Sequence, residues 1–300
     1  MTDELYLAPE KFRAILDFLV REFNVLPPLE FFEALQRCEL PERAITLTFD
    51  DGMRTNVTYA LDELVKRKLK AAFFVCPGLI LEKRPIPSVE ISFICREVRD
   101  GNYVIRFECQ ELAQPIHLQV CISSYDSRVD TIRKLDRIVI GLESRLQGLF
   151  ISYLRRQFGV SAELPAIYDV ADENDLKILA GEGSYIGNHT LYHSTIHTDT
   201  PEQFASDVQI ASDWLDQRFA RPVRIFCYPY GRDIDATEQS TQILADLGIH
   251  FGLVSQGGWA QIPQQSTLAL HREQVSQSAS VAKAVLPLAF LRHWWHYKSF

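Results

Sequence analysis

Ile45-Thr46-Leu47-Thr48-Phe49-Asp50-Asp51-Gly52 decides how this chain is read. A short apolar run, Ile45 to Phe49, stops at two adjacent carboxylates and a glycine. Runs of this length, bounded by turn residues, read as buried strands. Carboxylates at the mouth of such a strand are costly unless something uses them. Adjacent strand residues point to opposite faces, but in the turn after a strand both side chains can reach one cleft. A polar turn with a helix N-cap is the alternative reading of the stretch taken alone.

Outward from this strand, helix and strand alternate. Upstream, Phe12, Ile15, Leu16, Leu19 and Phe23 fall at helical spacing. Downstream, Thr55 to Lys70 reads as a helix with Ala60, Leu61, Leu64 and Val65 on one face, and Ala71 to Cys76 as a second apolar strand. Pro201 to Phe219 reads as a helix with proline at a favoured first position. Ile225 to Tyr228 is a strand, Asp235 to Leu247 a helix, and Ile249 to Ser255 another strand. Short, fully apolar strands in β-then-α order predict an α/β fold, a parallel sheet wrapped by helices. An open sheet and a (β/α) barrel both fit.

Residues 86–160 break the rhythm. Tyr103 to Leu112 and Ile116 to Ser123 predict a hairpin across Ala113-Gln114-Pro115, followed by a helical stretch from Ser127 to Phe158. This hairpin-plus-helical segment reads as an insertion on one face of the sheet, not an independent domain. Long connections of this kind often wall a site or cover it.

Composition narrows the class. The chain has 300 residues, 47% hydrophobic and 23% charged, ordinary for a soluble globular protein with a sizeable core. The net charge of −8 argues against a nucleic-acid partner, since phosphate binding normally needs a basic face. Cys38, Cys76, Cys95, Cys109, Cys121 and Cys227 form no C-x-x-C pair and read mostly as buried thiols in a reducing compartment. Met1 to Leu5 has no basic region and no long apolar run, so no signal peptide is expected and the expected location is cytoplasmic. The segment 276–300 reads as an aromatic and basic tail. Within it, 285–300 is a candidate for peripheral contact with the inner membrane face, or for packing on its own domain.

Two further clusters sit where strands end. In Gly187-Asn188-His189-Thr190-Leu191-Tyr192-His193 the histidines stand at i and i+4, the spacing that puts two imidazoles on one face of a helical turn. His197 follows four residues later and is expected to be solvent-exposed. In Phe226-Cys227-Tyr228-Pro229-Tyr230-Gly231 an apolar strand closes in a tight turn that can aim backbone N–H groups and an aromatic ring into a cleft. Separately each cluster has an ordinary structural explanation. Together, one Asp and two His make a His₂-carboxylate metal site with open positions, and the second Asp remains as a general base. That is equipment for hydrolysing an amide or ester.

At this point the chain resembles the polysaccharide deacetylases with a NodB homology domain, carbohydrate esterase family 4. Thr48 to Gly52 resembles the family's first motif, His189 to His193 its second, and Phe226 to Gly231 its third, in the family's order. Leu7-Ala8-Pro9-Glu10-Lys11-Phe12 and Ile186-Gly187-Asn188 resemble the flanks. The resemblance spans residues 7–275, insertion included. It implies a distorted (β/α) barrel with the site at the C-terminal ends of the strands. It further implies Asp51, His189 and His193 as metal ligands, zinc first with Co²⁺, Ni²⁺ or Mn²⁺ as alternatives. Asp50 would be the general base for a metal-bound water attacking an acetyl carbonyl. Tyr230, with Pro229 fixing its turn, would supply the oxyanion N–H. The implied substrate is an N-acetylated carbohydrate, with an N-acetylhexosamine in a polysaccharide or glycan precursor as the leading reading. An O-acetyl ester, or a sugar-binding or assembly protein that keeps the metal, are the alternatives.

The pattern departs from the family's in four places. Cys227 stands where the family's third motif often carries an arginine that orients the catalytic Asp, and Arg272, in Leu268-Ala269-Leu270-His271-Arg272, is the candidate to supply that guanidinium from another strand. His271 is the candidate general acid, although Ala269 holds the place of the family's leucine. Trp259 is a candidate wall residue. An early strand that members often carry before the first helix is not expected here.

Overall fold

A computed structural model describes residues 7–112, 114–255 and 266–275 of the chain. Trp259 and the segment 276–300 lie outside the described residues. The chain opens with α1 (Pro9–Glu22), β1 (Asn24–Val25), α2 (Pro28–Gln36), β2 (Ala44–Ile45) and β3 (Leu47–Phe49). A π-helical turn over Asn56–Ala60 leads into α3 (Leu61–Lys66), where one longer helix is expected from the sequence. Then come β4 (Ala71–Val75), α4 (Pro77–Glu82), α5 (Pro87–Glu97), β5 (Gly101–Phe107), β6 (Ile116–Ile122), α6 (Tyr125–Ile140) and α7 (Ser144–Phe158). The chain continues through α8 (Glu173–Gly181), β7 (Tyr185–Asn188), α9 (Pro201–Asp216), β8 (Ile225–Cys227), α10 (Glu238–Asp246), β9 (Phe251–Val254) and β10 (Leu270–His271).

Six strands form one sheet in the order β10-β9-β8-β7-β4-β3. All its pairings are parallel, and the sheet curls into a half-barrel. Of the two arrangements that the β-then-α pattern allows, the structure has the distorted barrel. Burial on both faces explains the unbroken apolar runs: all five residues of β4 and all four of β9 are buried. One face carries Ala72, Phe74, Tyr185, Ile225, Cys227, Phe251, Leu253 and Leu270, onto which α2 packs Phe32 and Leu35. On the other face, β8 and β9 present Phe226 and Val254 to Phe204 of α9 and Leu244 of α10.

The segment after α4 has a core of its own. Ile91, Ile105, Val120, Leu135, Val139, Phe150 and Leu154 bury one another in a cluster whose fully buried members all lie between Ile91 and Val160. The hairpin β5–β6 is antiparallel, with Phe107 opposite Ile116. The single helical stretch expected from Ser127 to Phe158 is two helices, broken at Gly141-Leu142-Glu143. Ser124 caps α6 in a capping box with Ser127.

Of the six cysteines, all free, Cys76, Cys95 and Cys227 are buried while Cys38 and Cys121 are exposed. Among the described residues no helix is long and apolar enough to cross a membrane.

Candidate metal and hydrolytic site

The C-terminal ends of β3, β7, β8 and β10 converge on one cluster. Asp50 and Asp51 follow β3, and the backbone then turns left-handed at Asp51 (φ 71°) and Gly52 (φ 64°). A Cβ on Gly52 would sit 2.9 Å from Cγ1 of Val75, so the turn admits glycine alone without a shift. This turn lets two neighbouring carboxylates serve different partners in one cleft.

His189 and His193 reach the cluster by a route the sequence does not suggest. The spacing predicts a helical turn; the structure has His189 at the end of β7 and a bend, with Thr190 (φ 64°) and His193 (φ 63°) in the left-handed region. Such a conformation costs on the order of 1–3 kcal/mol per non-glycine residue and persists only where its surroundings hold it. Here Asn188 supplies much of the hold. Its amide donates to the Val208 carbonyl (2.9 Å) and Ser212 Oγ (2.8 Å), and its Oδ1 accepts from the Thr190 N–H (2.8 Å). The Ser194 N–H then donates to Thr190 Oγ1 (3.0 Å).

Asp51 Oδ1 lies 3.3 Å from Nε2 of His189 and 3.2 Å from Nε2 of His193. Zinc bonds of about 2.0–2.2 Å put neighbouring tetrahedral ligands roughly 3.3 Å apart, so this spacing fits a cation between the three atoms. The tautomer of His189 argues the same way. Its Nδ1 is 2.7 Å from the Cys227 carbonyl oxygen, which requires the hydrogen on Nδ1 and, in the neutral ring, leaves the Nε2 lone pair facing Asp51. Two buried lone pairs face each other favourably only across a cation or a proton. Burial raises the Asp51 carboxyl, but the two imidazoles outweigh it and hold it well below the usual carboxylate range. His193 Nδ1 is buried without a hydrogen-bond partner, so of the two rings only His189 is oriented by a hydrogen bond from its far nitrogen. Asp50, His189 and Cys227 also offer donor atoms close together. That set needs the Cys227 thiolate, and burial pushes the Cys227 thiol up.

Arg272 occupies the other half of the cluster. Its guanidinium donates to Asp50 Oδ1 (2.8 Å) and Oδ2 (2.7 Å), a two-pronged pairing. It also donates to Thr48 Oγ1 (3.0 Å), Ser255 Oγ (2.7 Å) and the Cys227 sulfur (3.0 Å). Burial raises the Asp50 carboxyl, but Arg272 outweighs it and keeps the group below its ordinary value. Cys227 thus stands beside the guanidinium, and its small side chain leaves room for it.

Tyr230 closes the site. Its backbone is left-handed (φ 60°), and its ring meets His193 edge-on at 4.5 Å between centroids. Pro229 and Gly231 are buried on either side, and the Ser255 N–H donates to the Gly231 carbonyl at 2.7 Å.

Two other residues fall elsewhere. His197 is exposed, with Nε2 2.6 Å from the Ile234 carbonyl. His271 pairs in register with Val254, whose side chain packs toward α9 and α10. Paired residues of parallel strands project from the same face, so His271 leaves β10 on the helix side while Arg272 faces the cluster. Thr48, the first residue of the first motif, and Ser255 complete the Arg272 cradle; Ser255 and Asp136 of α6, whose charge acts on Tyr230, carry no motif. For Asp136 one signal was available: it follows Ile132 by four residues on a helical stripe that is otherwise apolar.

The family model described as Polysaccharide deacetylase matches residues 38–104 and 156–252, more than half of the chain. YxkH of Bacillus subtilis, whose name assigns it to the polysaccharide deacetylases, is 30% identical over 108 residues, 36% of this chain and 37% of that protein. The chain thus matches little more than a third of the length of that curated relative. The deacetylase PplD of Streptococcus pyogenes shares the fold with a TM-score of 0.59 at 18% identity, covering 95% of this chain and 88% of that one. The BpsB deacetylase domain of Bordetella bronchiseptica does so with a TM-score of 0.52 at 14% identity, covering 91% and 87%. IcaB of Ammonifex degensii follows with a TM-score of 0.51 at 17% identity, covering 85% and 78%.

Proposed function

The chain belongs to the polysaccharide deacetylase family, and on that premise we propose that it is a metal-dependent hydrolase removing the N-acetyl group from an N-acetylhexosamine unit of a glycan. The observation that carries this reading is the donor set of Asp51, His189 and His193, at the spacing of tetrahedral metal ligands, beside an Asp50 held by Arg272. PplD, which shares the fold, is described as solved in complex with acetate, the product such a reaction releases.

Asp51, His189 and His193 would hold a divalent cation, with zinc suited to the nitrogen and oxygen donors. Bound there, such an ion supplies Lewis-acid polarisation of the acetyl carbonyl and a lowered pKa for water. Asp50 accepts the proton of the attacking water as its oxygen bonds to the acetyl carbon. The backbone N–H of Tyr230 donates to the oxyanion that develops on the carbonyl oxygen. The C–N bond then breaks, acetate leaves, and the sugar nitrogen takes up a proton. Because Arg272 favours the ionised form of Asp50, that carboxyl readily returns its captured proton to the leaving nitrogen. Arg272 is a positioning residue: it fixes the orientation and charge of Asp50 without touching the acetyl group. Residues 7–275 make up the catalytic domain in this reading, with 86–160 as its insertion.

The test is acetate release from a panel of N-acetylglucosamine oligomers by metal-stripped protein, with and without zinc or cobalt, and with Asp50→Asn alongside. Metal-dependent release that Asp50→Asn abolishes is the expected result. Release from acetylated xylan oligomers with none from the N-acetyl panel would replace the amide by an ester. Release that survives metal stripping would sink the mechanism.

A further inference from the structure

The two imidazoles of the donor set are held in different ways. His189 is fixed through its ring, by the bond from Nδ1 to the Cys227 carbonyl. His193 has no such bond, since its Nδ1 is buried without a partner. The Tyr230 ring packs edge-on against it but gives that nitrogen no hydrogen bond. A metal-bound histidine almost always has an outer partner on its second ring nitrogen, and losing that partner typically costs roughly 10–100-fold in metal affinity. His193 also sits in the left-handed region (φ 63°), which persists only where its surroundings impose it. The placement of this ring therefore depends on what holds the backbone on either side of it.

Both sides are tied to α9. Upstream, the Asn188 amide donates to the Val208 carbonyl and Ser212 Oγ. Downstream, the residue after His193 is Ser194, which is fully buried. The Ser194 N–H donates to Thr190 Oγ1 (3.0 Å), and its hydroxyl donates to Asp207 Oδ2 (3.0 Å). Asp207 precedes Val208 on the helix, so neighbouring positions of α9 grip the histidine loop at its two ends. Packing alone gives no reason for a carboxylate at 207. Phe204, Val208 and Ala211 beside it are buried, and a carboxylate among them costs free energy unless it is used. Burial raises the Asp207 carboxyl, and the Ser194 hydroxyl opposes that shift.

We propose that Asp207 is a positioning residue for the metal: through Ser194 it sets the backbone that carries His193, in place of the ring contact that His193 lacks. The proposal rests on the reading of Asp51, His189 and His193 as metal donors, and it names a residue outside every motif on which their geometry depends. Asp207 is not itself one of the converging donors.

The experiment loads metal-stripped wild type, Asp207→Ala, Asp207→Asn, Ser194→Ala and the variant carrying both alanines with cobalt(II). Affinity against a competing chelator, the visible cobalt spectrum, the melting temperature of the metal-free protein and acetate release are read in parallel. Asp207→Ala lowers cobalt affinity roughly tenfold and alters the visible bands, because one donor nitrogen is no longer held in place. Asp207→Asn, whose side-chain oxygen still accepts from the Ser194 hydroxyl, stays within about threefold of wild type. Ser194→Ala matches Asp207→Ala, and the double variant loses no more than either alone, because both changes remove the same bond. A residue of purely structural role would lower the melting temperature and leave the affinity and spectrum of the folded protein unchanged. Cobalt affinity of Asp207→Ala within about twofold of wild type, losses that add in the double variant, or no cobalt bound by wild type would each overturn the proposal. A loss in Ser194→Ala alone would also overturn it, passing the role to Asp199, on whose carboxyl the same hydroxyl acts. Failure of the deacetylase reading looks different: wild type would bind cobalt, the alanine variants would bind it less well, and none would release acetate.

Discussion

Arg272 and Asp50 join the two edges of the sheet. Arg272 follows β10 and Asp50 follows β3, strands at opposite ends of the six-strand order, 222 residues apart in sequence. Their paired hydrogen bonds, with the Thr48 contact beside them, bridge the mouth of the half-barrel where backbone pairing does not. Removing one partner of a buried ion pair leaves an uncompensated charge and costs on the order of 3–5 kcal/mol. Arg272→Ala is therefore expected to lower stability by that order and acetate release by at least about a hundredfold. Because the Cys227 sulfur lies against the Arg272 guanidinium, adding Cys227→Arg to Arg272→Ala should recover part of both losses. In wild type the same change forces a second cation into an occupied cradle and should be harmful. A double-mutant cycle by chemical denaturation and acetate release checks the sign. Additive effects would mean that the two positions do not share one cradle.

The donor set predicts a separate, activity-free signature. A cation that binds only the folded chain stabilises it by about 4 kcal/mol at a thousandfold excess over its Kd. Zinc should raise the melting temperature of metal-stripped wild type by several degrees. His193→Ala and Asp51→Ala should lose most of that rise, since each removes one of three converging donors. Scanning calorimetry with and without zinc measures it. An equal zinc response in wild type and both variants would place the ion elsewhere.

Gly52 ties the fold to the site at one residue. Alanine there meets both a positive φ (64°) and a Val75 methyl carbon at 2.9 Å. The two penalties together should cost about 2–3 kcal/mol. Because Asp51 is the preceding residue, the backbone shift that relieves the clash also moves a metal donor. Gly52→Ala should thus weaken zinc binding beyond its effect on stability, whereas Gly159→Ala, with nothing within 4 Å of the added carbon, should cost stability alone. Urea denaturation and zinc titration of both variants separate the two effects.

The sheet and the three site loops were legible because each strand is a short apolar run ending in residues that an ordinary turn does not need. The buried runs Ala71–Val75 and Phe251–Val254 declare a sheet covered on both faces. Other features resist such reading for identifiable reasons. The histidine pair sits at helical spacing but is delivered by left-handed Thr190 and His193, a conformation no local propensity favours and the Asn188 hydrogen bonds impose. The alternation that turns His271 away from the site depends on the register of β10 against β9, which short strands do not declare. Gly141 divides the helical stretch of the insertion, and one helix with an isolated glycine reads much the same in sequence. The influence of the Asp136 charge on Tyr230 joins an insertion to a motif, visible in advance only as a carboxylate in an apolar stripe.

That carboxylate gives the protein a pH signature. The unfolded chain releases the Asp136 proton near pH 4, whereas the folded chain holds it up to about pH 7. Between those values the folded state binds more protons than the unfolded one, so stability falls as pH rises. The contribution is fully present below about pH 4 and is lost as pH passes through 7. Asp199, raised by burial to about 6, adds a slope of the same sign and remains in any Asp136 variant. Wild type should therefore lose melting temperature from pH 5 to pH 8 more steeply than Asp136→Leu. The gap between the two should be small at pH 5 and widen by a few degrees at pH 8. Melting both proteins across that range in the absence of metal isolates the term, since ligand protonation at the histidines is common to the pair. A constant gap would mean that Asp136 titrates near its ordinary value in the folded chain.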